Sequence, residues 1–567
     1  MRTFENSPSW AVLPALACGL LLSAPALAQV PPNAGSLLQQ MEQSRPQPPA
    51  AALPAPIAQP PAEMKPVGGL SVTVRAFRFA GNRLLTDEAL QAAVQPFLNR
   101  PLGFSGLQEA AAAAARAYRQ AGWIVRVYLP QQDVTEGVVT LQIVEAAFGG
   151  TQLEGALPDR IALERLQAIV SAAQPMGAPL NGDALDRALL LLDDLPGIAV
   201  SGNLKAGPRE GETSLALKVT DKALTSGEAS ADNAGSRSTG AIRMLGTLYV
   251  NSPARLGDQA ALTGIHTEGS DYARLGYTLP VGHQGLRLGA SASRLSYRLV
   301  SPEFAELDAR GNSTTLGLEA SYPLIRSRQR NLNLLLNLDR KRFDNQSGGA
   351  TTSLYRVDTL SLGLSGSLFD ALGGANSGSI SLVSGKVDLA GSPNEAADAA
   401  TIRSAGNFNK LRYAFSRYQS LGTDRSALVS VSGQMASKNL DSAEKFYLGG
   451  SMGVRAYPSS EGGGSEGVLA SLELRQALPR NFILSGFYDW GRVTVNRDND
   501  FIGAATLNQY CLRGIGLALA WQPRADLSLK ATWARRIGDN PNPTASGLDQ
   551  DGSLVRNRYW LLASLAF

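Results

Sequence analysis

Residues 331–339 read NLNLLLNLD, from Asn331 to Asp339. In an extended chain Leu332, Leu334, Leu336 and Leu338 fall on one face, and Asn331, Asn333, Asn337 and Asp339 on the other. A helix would scatter that period of two, so the segment is a strand with one apolar and one polar side. TLGLEASY repeats the pattern, setting Leu316, Leu318, Ala320 and Tyr322 against Thr315, Gly317, Glu319 and Ser321. LRLGASAS, residues 286–293, does the same. A soluble sandwich also alternates in this way, so length has to arbitrate. From about Leu224 to Phe567 helical periodicity is absent. That stretch of about 340 residues allows roughly sixteen strands of ~10 residues with alternating short turns and long loops, as in an outer-membrane barrel. The polar segments SPEFAELDARGNS, DLAGSPNEAADAATIRSAG and GDNPNPTASGLDQDGSLVRN suit its surface loops. The chain closes on RYWLLASLAF, with Tyr559, Leu561, Ala563, Leu565 and the terminal Phe567 on one face. A bare terminal aromatic is what barrel strands present to their assembly machinery.

Before the barrel the patterning changes twice. Arg2, an apolar run from Trp10 to Leu22 and the small residues up to Ala28 form an export signal over residues 1–28. Its cleavage removes Cys18 and leaves Cys511, so no internal disulfide is expected. Residues 29–70 are rich in Pro, Ala and Gln and read as an extended linker. Within it, Gly35 to Arg45 fits a short helix with Ser36 as N-cap and Gln39 as its capping-box partner. Two histidines, His266 and His283, are too few for a His-rich metal site, and no cofactor motif occurs. A net charge of +4 on 567 residues argues against nucleic acid as a partner. No segment reaches the length of apolar residues that a membrane-spanning helix needs.

Residues 71–146 and 147–222 form two α+β modules of the same order: strand, helix, helix, strand, strand. VTVRAFRFAG, TDEALQAAVQPFL, SGLQEAAAAAARAYRQAG, WIVRVYLP and VVTLQIVEA make the first. FGGTQLEG, DRIALERLQAIV, NGDALDRALLLLDDLPG, IAVSGNLKAG and TSLALKVTD make the second. Gly81 maps onto Gly155 and Gly122 onto Gly197, an offset of about 75 residues that marks a tandem repeat. The barrel then occupies residues 223–567.

One stretch of the barrel does not alternate. FYLGGSMGVRAYPSSEGGG, Phe446 to Gly464, is a glycine-rich loop centred on Arg455. With the two modules and the barrel, its GVRAYP core resembles the two-partner secretion transporters (the TpsB haemolysin and haemagglutinin secretion/activation proteins), members of the BamA-related superfamily. In that family a V-R-G-Y/F motif lies on a loop folded into the barrel lumen. The match here is Val454, Arg455, Ala456 and Tyr457, with Ala456 at the usual glycine. A second family motif, F-x-D-x-G on a barrel strand, is matched by Phe487, Asp489 and Gly491. DNAGSRSTG (Asp232 to Gly240) and NSPARLGDQ (Asn251 to Gln259) resemble the family's opening barrel strands, and GVLASLELR its glutamate-bearing strand.

The resemblance implies two polypeptide-transport-associated (POTRA) domains in the periplasm and a transmembrane antiparallel barrel of about sixteen strands. It implies that Asp489 on the inner wall pairs with Arg455 at the loop tip. It also implies export of an unfolded, β-helical, adhesin- or haemolysin-like partner protein. The partner would add to the edge strand Trp123 to Leu129 by β-augmentation, near Ile124, Arg126 and Tyr128. Outer-membrane lipid, the barrel-assembly machinery at Phe567 and a monomeric state complete the expected setting. Residues 35–45 match the helix that fills the lumen in some members. An assembly factor for other barrels and a passive porin are the alternatives. GGSEG, Gly463 to Gly467, formally fits G-x-S-x-G, but a strand pattern follows it where a nucleophile elbow needs a helix. No catalytic residue and no enzyme activity are expected.

Overall fold

The computed structural model describes residues 31–43, 71–209 and 211–567. The export signal expected over residues 1–28 lies outside them, as does the proline-rich stretch between residues 44 and 70. Sixteen antiparallel strands close into a barrel that starts with Thr225–Asp232 and ends with Asn557–Ala566, the last strand pairing with the first. NLNLLLNLD lies in the strand Arg330–Ser347, which pairs with Arg310–Arg326 and Ala350–Phe369. Leu336 and Leu338 point out of the barrel and are exposed, whereas Asn337 and Asp339 face inward. The outer wall repeats this: Leu318, Leu362, Leu382, Leu472 and Leu517 are all exposed. So large an apolar belt is incompatible with water and is covered by lipid.

The inner wall differs at its two ends. Phe343 stacks on Tyr355 with ring centroids 4.9 Å apart, and Val357, Phe408 and Leu440 join them in a lumenal core. Further along the same inward parity come Ser361, Ser365, Ser379, Ser381, Ser430 and Ser432, which leave the lumen polar and lightly filled.

The helix Ala34–Gln43 occupies the apolar end of this lumen. Leu37, Leu38 and Met41 pack into the lumenal core, and the Ala34 amide donates to Asn345 Oδ1 at 2.8 Å. Its cap differs from the one expected. Asn33 Oδ1 accepts from the Ser36 amide at 3.0 Å and the Asn33 amide donates to Ser36 Oγ at 3.2 Å, so Asn33 is the N-cap and Ser36 its reciprocal partner. Asn caps as well as Ser, and the earlier start lets Ala34 and Gly35 lie flat on the wall. A methyl at position 35 would stand 2.6 Å from Ser442 Oγ.

Each module carries a three-stranded sheet under two helices. In the first, Val138–Glu145 is central, parallel to Ala76–Ala80 and antiparallel to the edge strand Val125–Tyr128. In the second, Glu212–Asp221 is central, parallel to Ala147–Glu154 and antiparallel to Ile198–Ala206. Gly81, Gly155, Gly122 and Gly197 all have φ between 85° and 90°, a left-handed turn that explains why glycine recurs at the repeat spacing. Thr86 and Asn181 cap the helices that follow the first strand of module one and precede the second of module two.

The second module is fastened to the barrel turns. Arg326 binds both Asp194 oxygens at 2.8 and 2.6 Å, and Arg328 binds Asp186 Oδ1 at 2.8 and 2.7 Å. Arg187 and Arg165 donate to the carbonyls of Pro323 and Pro280. The turn 252–258 meets the module as well, Ser252 Oγ donating to the Arg160 carbonyl at 2.6 Å. There Asp258 is fully buried, and burial pushes its carboxyl up. Bonds from the Tyr277 hydroxyl and the Ala254 and Leu256 amides outweigh that and hold it below the usual carboxylate range.

Candidate functional site

Between the strands Arg425–Ala436 and Glu466–Leu478 the chain turns into the lumen. A 3-10 turn, Ser442–Glu444, is fixed by a buried ionic group: Glu444 binds Lys341 and Lys410, each at 2.7 Å. A two-residue hairpin then pairs Phe446–Tyr447 with Gly463–Gly464, and the segment between them carries Arg455. Ser465 is buried and the strand Glu466–Leu478 leaves directly, which is not the strand-turn-helix of a nucleophile elbow.

Arg455 is 8 % exposed and Asp489 is fully buried. Its Nε and Nη2 donate to the two Asp489 oxygens at 2.9 and 2.8 Å, and its own amide donates to Oδ2 at 3.1 Å. Nη1 donates to Glu473 at 3.0 Å and Nη2 to Ser471 Oγ at 3.1 Å. The guanidinium carbon lies 3.3 Å from the Phe487 ring centroid. Arg475 binds the other Glu473 oxygen at 2.8 Å. Two cations thus face two carboxylates, the balance that a poorly solvated site requires. The planar fork explains arginine over lysine, since two parallel bonds to one carboxylate fix an orientation as well as a position.

The rest of the loop motif packs on wall glycines. Val454 and Ala456 are fully buried, and Tyr457, also buried, lies under the Arg536 guanidinium at 4.6 Å. Gly491 leaves room for Leu448 and Val454, Gly467 for Phe446, and Gly516 for the Phe487 ring. Ala456 replaces the family's usual glycine without loosening this packing. Its methyl faces Gly514 on the neighbouring strand, where a second methyl would stand only 2.7 Å away.

The remaining expected residues sit elsewhere. Arg126 is exposed on the edge strand of the first module with its guanidinium 5.6 Å from the Tyr128 ring. Ile124 is not available there, contrary to expectation. Its amide donates to the Leu180 carbonyl at 3.0 Å and its side chain packs into the core of the second module. The strand enters the junction between modules before it becomes a free edge, so only its later part offers one. Phe567 is exposed, and its amide and carbonyl pair with Gly227 at 2.9 and 2.8 Å at the barrel seam.

Glu473, the glutamate of the strand GVLASLELR, completes the site together with Ser471, Trp560 and Gly514, and the last three were not among the expected residues. Glu473 and Ser471 share the inward parity of Leu469 in GVLASLELR, so alternation carries the signal. Trp560 donates from Nε1 to the Arg455 carbonyl at 2.8 Å, a contact across 105 residues that no local pattern announces. Glu461 ties the loop's exit to the last long loop, accepting from Asn540 Nδ2 at 3.0 Å and the Gln550 amide at 2.9 Å.

A lipid-facing closed barrel with two tandem α+β modules and a latched loop in its lumen defines an outer-membrane translocator with periplasmic POTRA modules. The family model for haemolysin secretion/activation proteins ShlB/FhaC/HecB matches residues 211–515, and that for POTRA domains of ShlB type matches residues 72–146. The heme/hemopexin transporter protein HuxB of Haemophilus influenzae (strain 86-028NP) is 25% identical over 93% of this chain and 95% of its own. The outer membrane transporter CdiB of Dickeya dadantii (strain 3937) is 24% identical over 72% of both chains. Among solved structures, CdiB from Escherichia coli superposes with a TM-score of 0.68 at 20% identity, covering 96% of this chain and all 100% of its own. BamA from Haemophilus ducreyi lacking POTRA domains 1-3 has a TM-score of 0.52 at 15% identity, over 87% of this chain and 100% of its own. The chain belongs to the haemolysin secretion/activation protein family, ShlB/FhaC/HecB. It resides in the outer membrane with its POTRA modules in the periplasm.

Proposed function

We propose that this protein exports an unfolded partner protein from the periplasm through the barrel to the cell surface. The observation that carries the reading is the way the lumen is closed. Helix Ala34–Gln43 and the Arg455 loop obstruct it, and both are held to the wall by polar contacts that can be exchanged. A passive porin would gain nothing from two such inserts. A partner in extended form would pair with the free edge at Arg126 to Tyr128, whose geometry suits β-augmentation and reads backbone more than side chain. Relatives described as a heme/hemopexin transporter protein and as outer membrane transporters support an exported partner, and the haemolysin secretion/activation family description favours one of the adhesin or haemolysin kind.

Folding of the partner outside drives the passage, and the protein itself catalyses no reaction. It works as a monomer, and Phe567 at the seam serves the barrel-assembly machinery during insertion. The Arg455–Asp489 latch holds one state of the lumen and performs no chemistry. Arg455→Ala should lower secretion of a co-expressed partner while the barrel reaches the outer membrane at its normal level. Normal secretion at normal barrel levels would remove the latch from the mechanism.

A further inference from the structure

The Arg455 loop does not fill the lumen evenly. Between it and the wall strands Gly374–Asp388, Gly406–Ser420 and Arg425–Ala436 lies a cavity of about 310 Å³, within the ~300–1,000 Å³ usual for ligand sites. Three features give it a definite chemistry. Arg412 is the one charged residue lining it, and among the described residues no hydrogen bond or ion pair engages that guanidinium. Ser379 and Ser381 stand beside it as hydroxyl donors and acceptors. On the loop side the lining is apolar, with Phe446 and Met452, and Leu469 of the wall strand Glu466–Leu478 adjoins them; Met452 is 83 % exposed in a loop whose other large apolar side chains are packed. Gln43, the last described residue of the lumenal helix, closes one margin.

We infer that this cavity is a binding site in the lumen for an extended polypeptide carrying acidic and aromatic or aliphatic side chains in alternation. The inference deepens the export reading and rests on it: the occupant is the partner in transit. A lone cation without a counter-charge complements a carboxylate or a row of backbone carbonyls. Side chains of an extended strand point alternately to opposite sides. One set would meet Arg412 and the serines, the other Phe446 and the adaptable thioether of Met452 on the loop. Because the helix end forms one margin, departure of the helix lengthens the site along the lumen axis.

The test uses the purified full chain and a short synthetic peptide alternating Glu, Phe and Ser with a photo-crosslinking group, beside its Lys-for-Glu counterpart. The acidic peptide should label the segment 446–453 and the wall strand Gly406–Ser420. Arg412→Gln should reduce that labelling about tenfold, the loss of one charge-assisted hydrogen bond. Heat-modifiable migration checks that the variant barrel is folded. Equal labelling by the two peptides, labelling at Ser230 across the lumen instead, or indifference to Arg412→Gln would each overturn the site. Failed labelling with partner export intact rejects the site alone. Labelling intact in a protein that exports no partner leaves the site standing and rejects the export reading.

Discussion

Asp489→Asn keeps the shape of the latch and removes its charge. Asp489 accepts four hydrogen bonds, from Arg455 Nε, Nη2 and amide at 2.9, 2.8 and 3.1 Å and from Ser471 at 2.7 Å. An amide offers one acceptor oxygen and turns two donors toward a guanidinium. Arg455 then keeps Glu473 as its only carboxylate, which Arg475 already shares. Breaking one side of a buried pair costs about 3–5 kcal/mol, so the open population of the loop should rise about a hundredfold to a few thousandfold. The barrel ladder is untouched, so folding should survive. A thiol reagent reads the change: Val454 is fully buried, so Val454→Cys on a Cys511→Ser background reacts only when the loop leaves the wall. Labelling should accelerate by that factor in Asp489→Asn. Pairing Asp489→Asn with Arg455→Gln should recover part of the loss, since no uncompensated charge then remains. Labelling unchanged by Asp489→Asn would refute the claim that this pair holds the loop.

Three further outcomes follow from contacts elsewhere. Gly514→Ala sets two methyls 2.7 Å apart and should loosen the loop by about 1–3 kcal/mol; Ala456→Gly in the same chain should restore it, read by the same labelling. Gly35→Val drives a side chain into Ser442 and should release the lumenal helix, which single-channel recording would register as a larger conductance. The Asp258 carboxyl lies below its usual value in the folded protein, so its contribution is fully present above the unfolded pKa of ~3.9 and fades as pH falls through the folded one. Hydrogen exchange in the turn 252–258 should therefore quicken below about pH 4, and Asp258→Asn should remove that response.

The barrel was legible because lipid and lumen impose opposite demands at every other residue, and Leu336, Asn337, Leu338 and Asp339 carry that record in four letters. The modules were legible because glycine at 81, 122, 155 and 197 answers a backbone requirement local to each turn. Contacts that join distant segments left no such mark. Nothing near Ile124 reveals that Leu180 will take its amide, and nothing near Gly514 reveals that Ala456 will lie on it. The helix start was misplaced for a related reason. Asn33 and Ser36 both cap well, and the choice between them is made by Asn345 and Ser442 on the barrel wall.

The glycines beneath the loop have a consequence for what happens when it leaves. Gly467, Gly491, Gly514 and Gly516 form a patch of wall stripped of side chains, and Phe446, Val454, Ala456 and Phe487 occupy the depth so gained. Withdrawal of the loop would uncover these shallow stretches of backbone beside the wall side chains Phe487, Asp489 and Glu473 that Arg455 had covered. A chain sliding over the glycines would meet little relief there, with the Phe487 ring and the carboxylates released from Arg455 standing alongside. The parking place of the loop and the wall that cargo would then face are the same surface, so a single set of small residues serves both the resting and the working barrel.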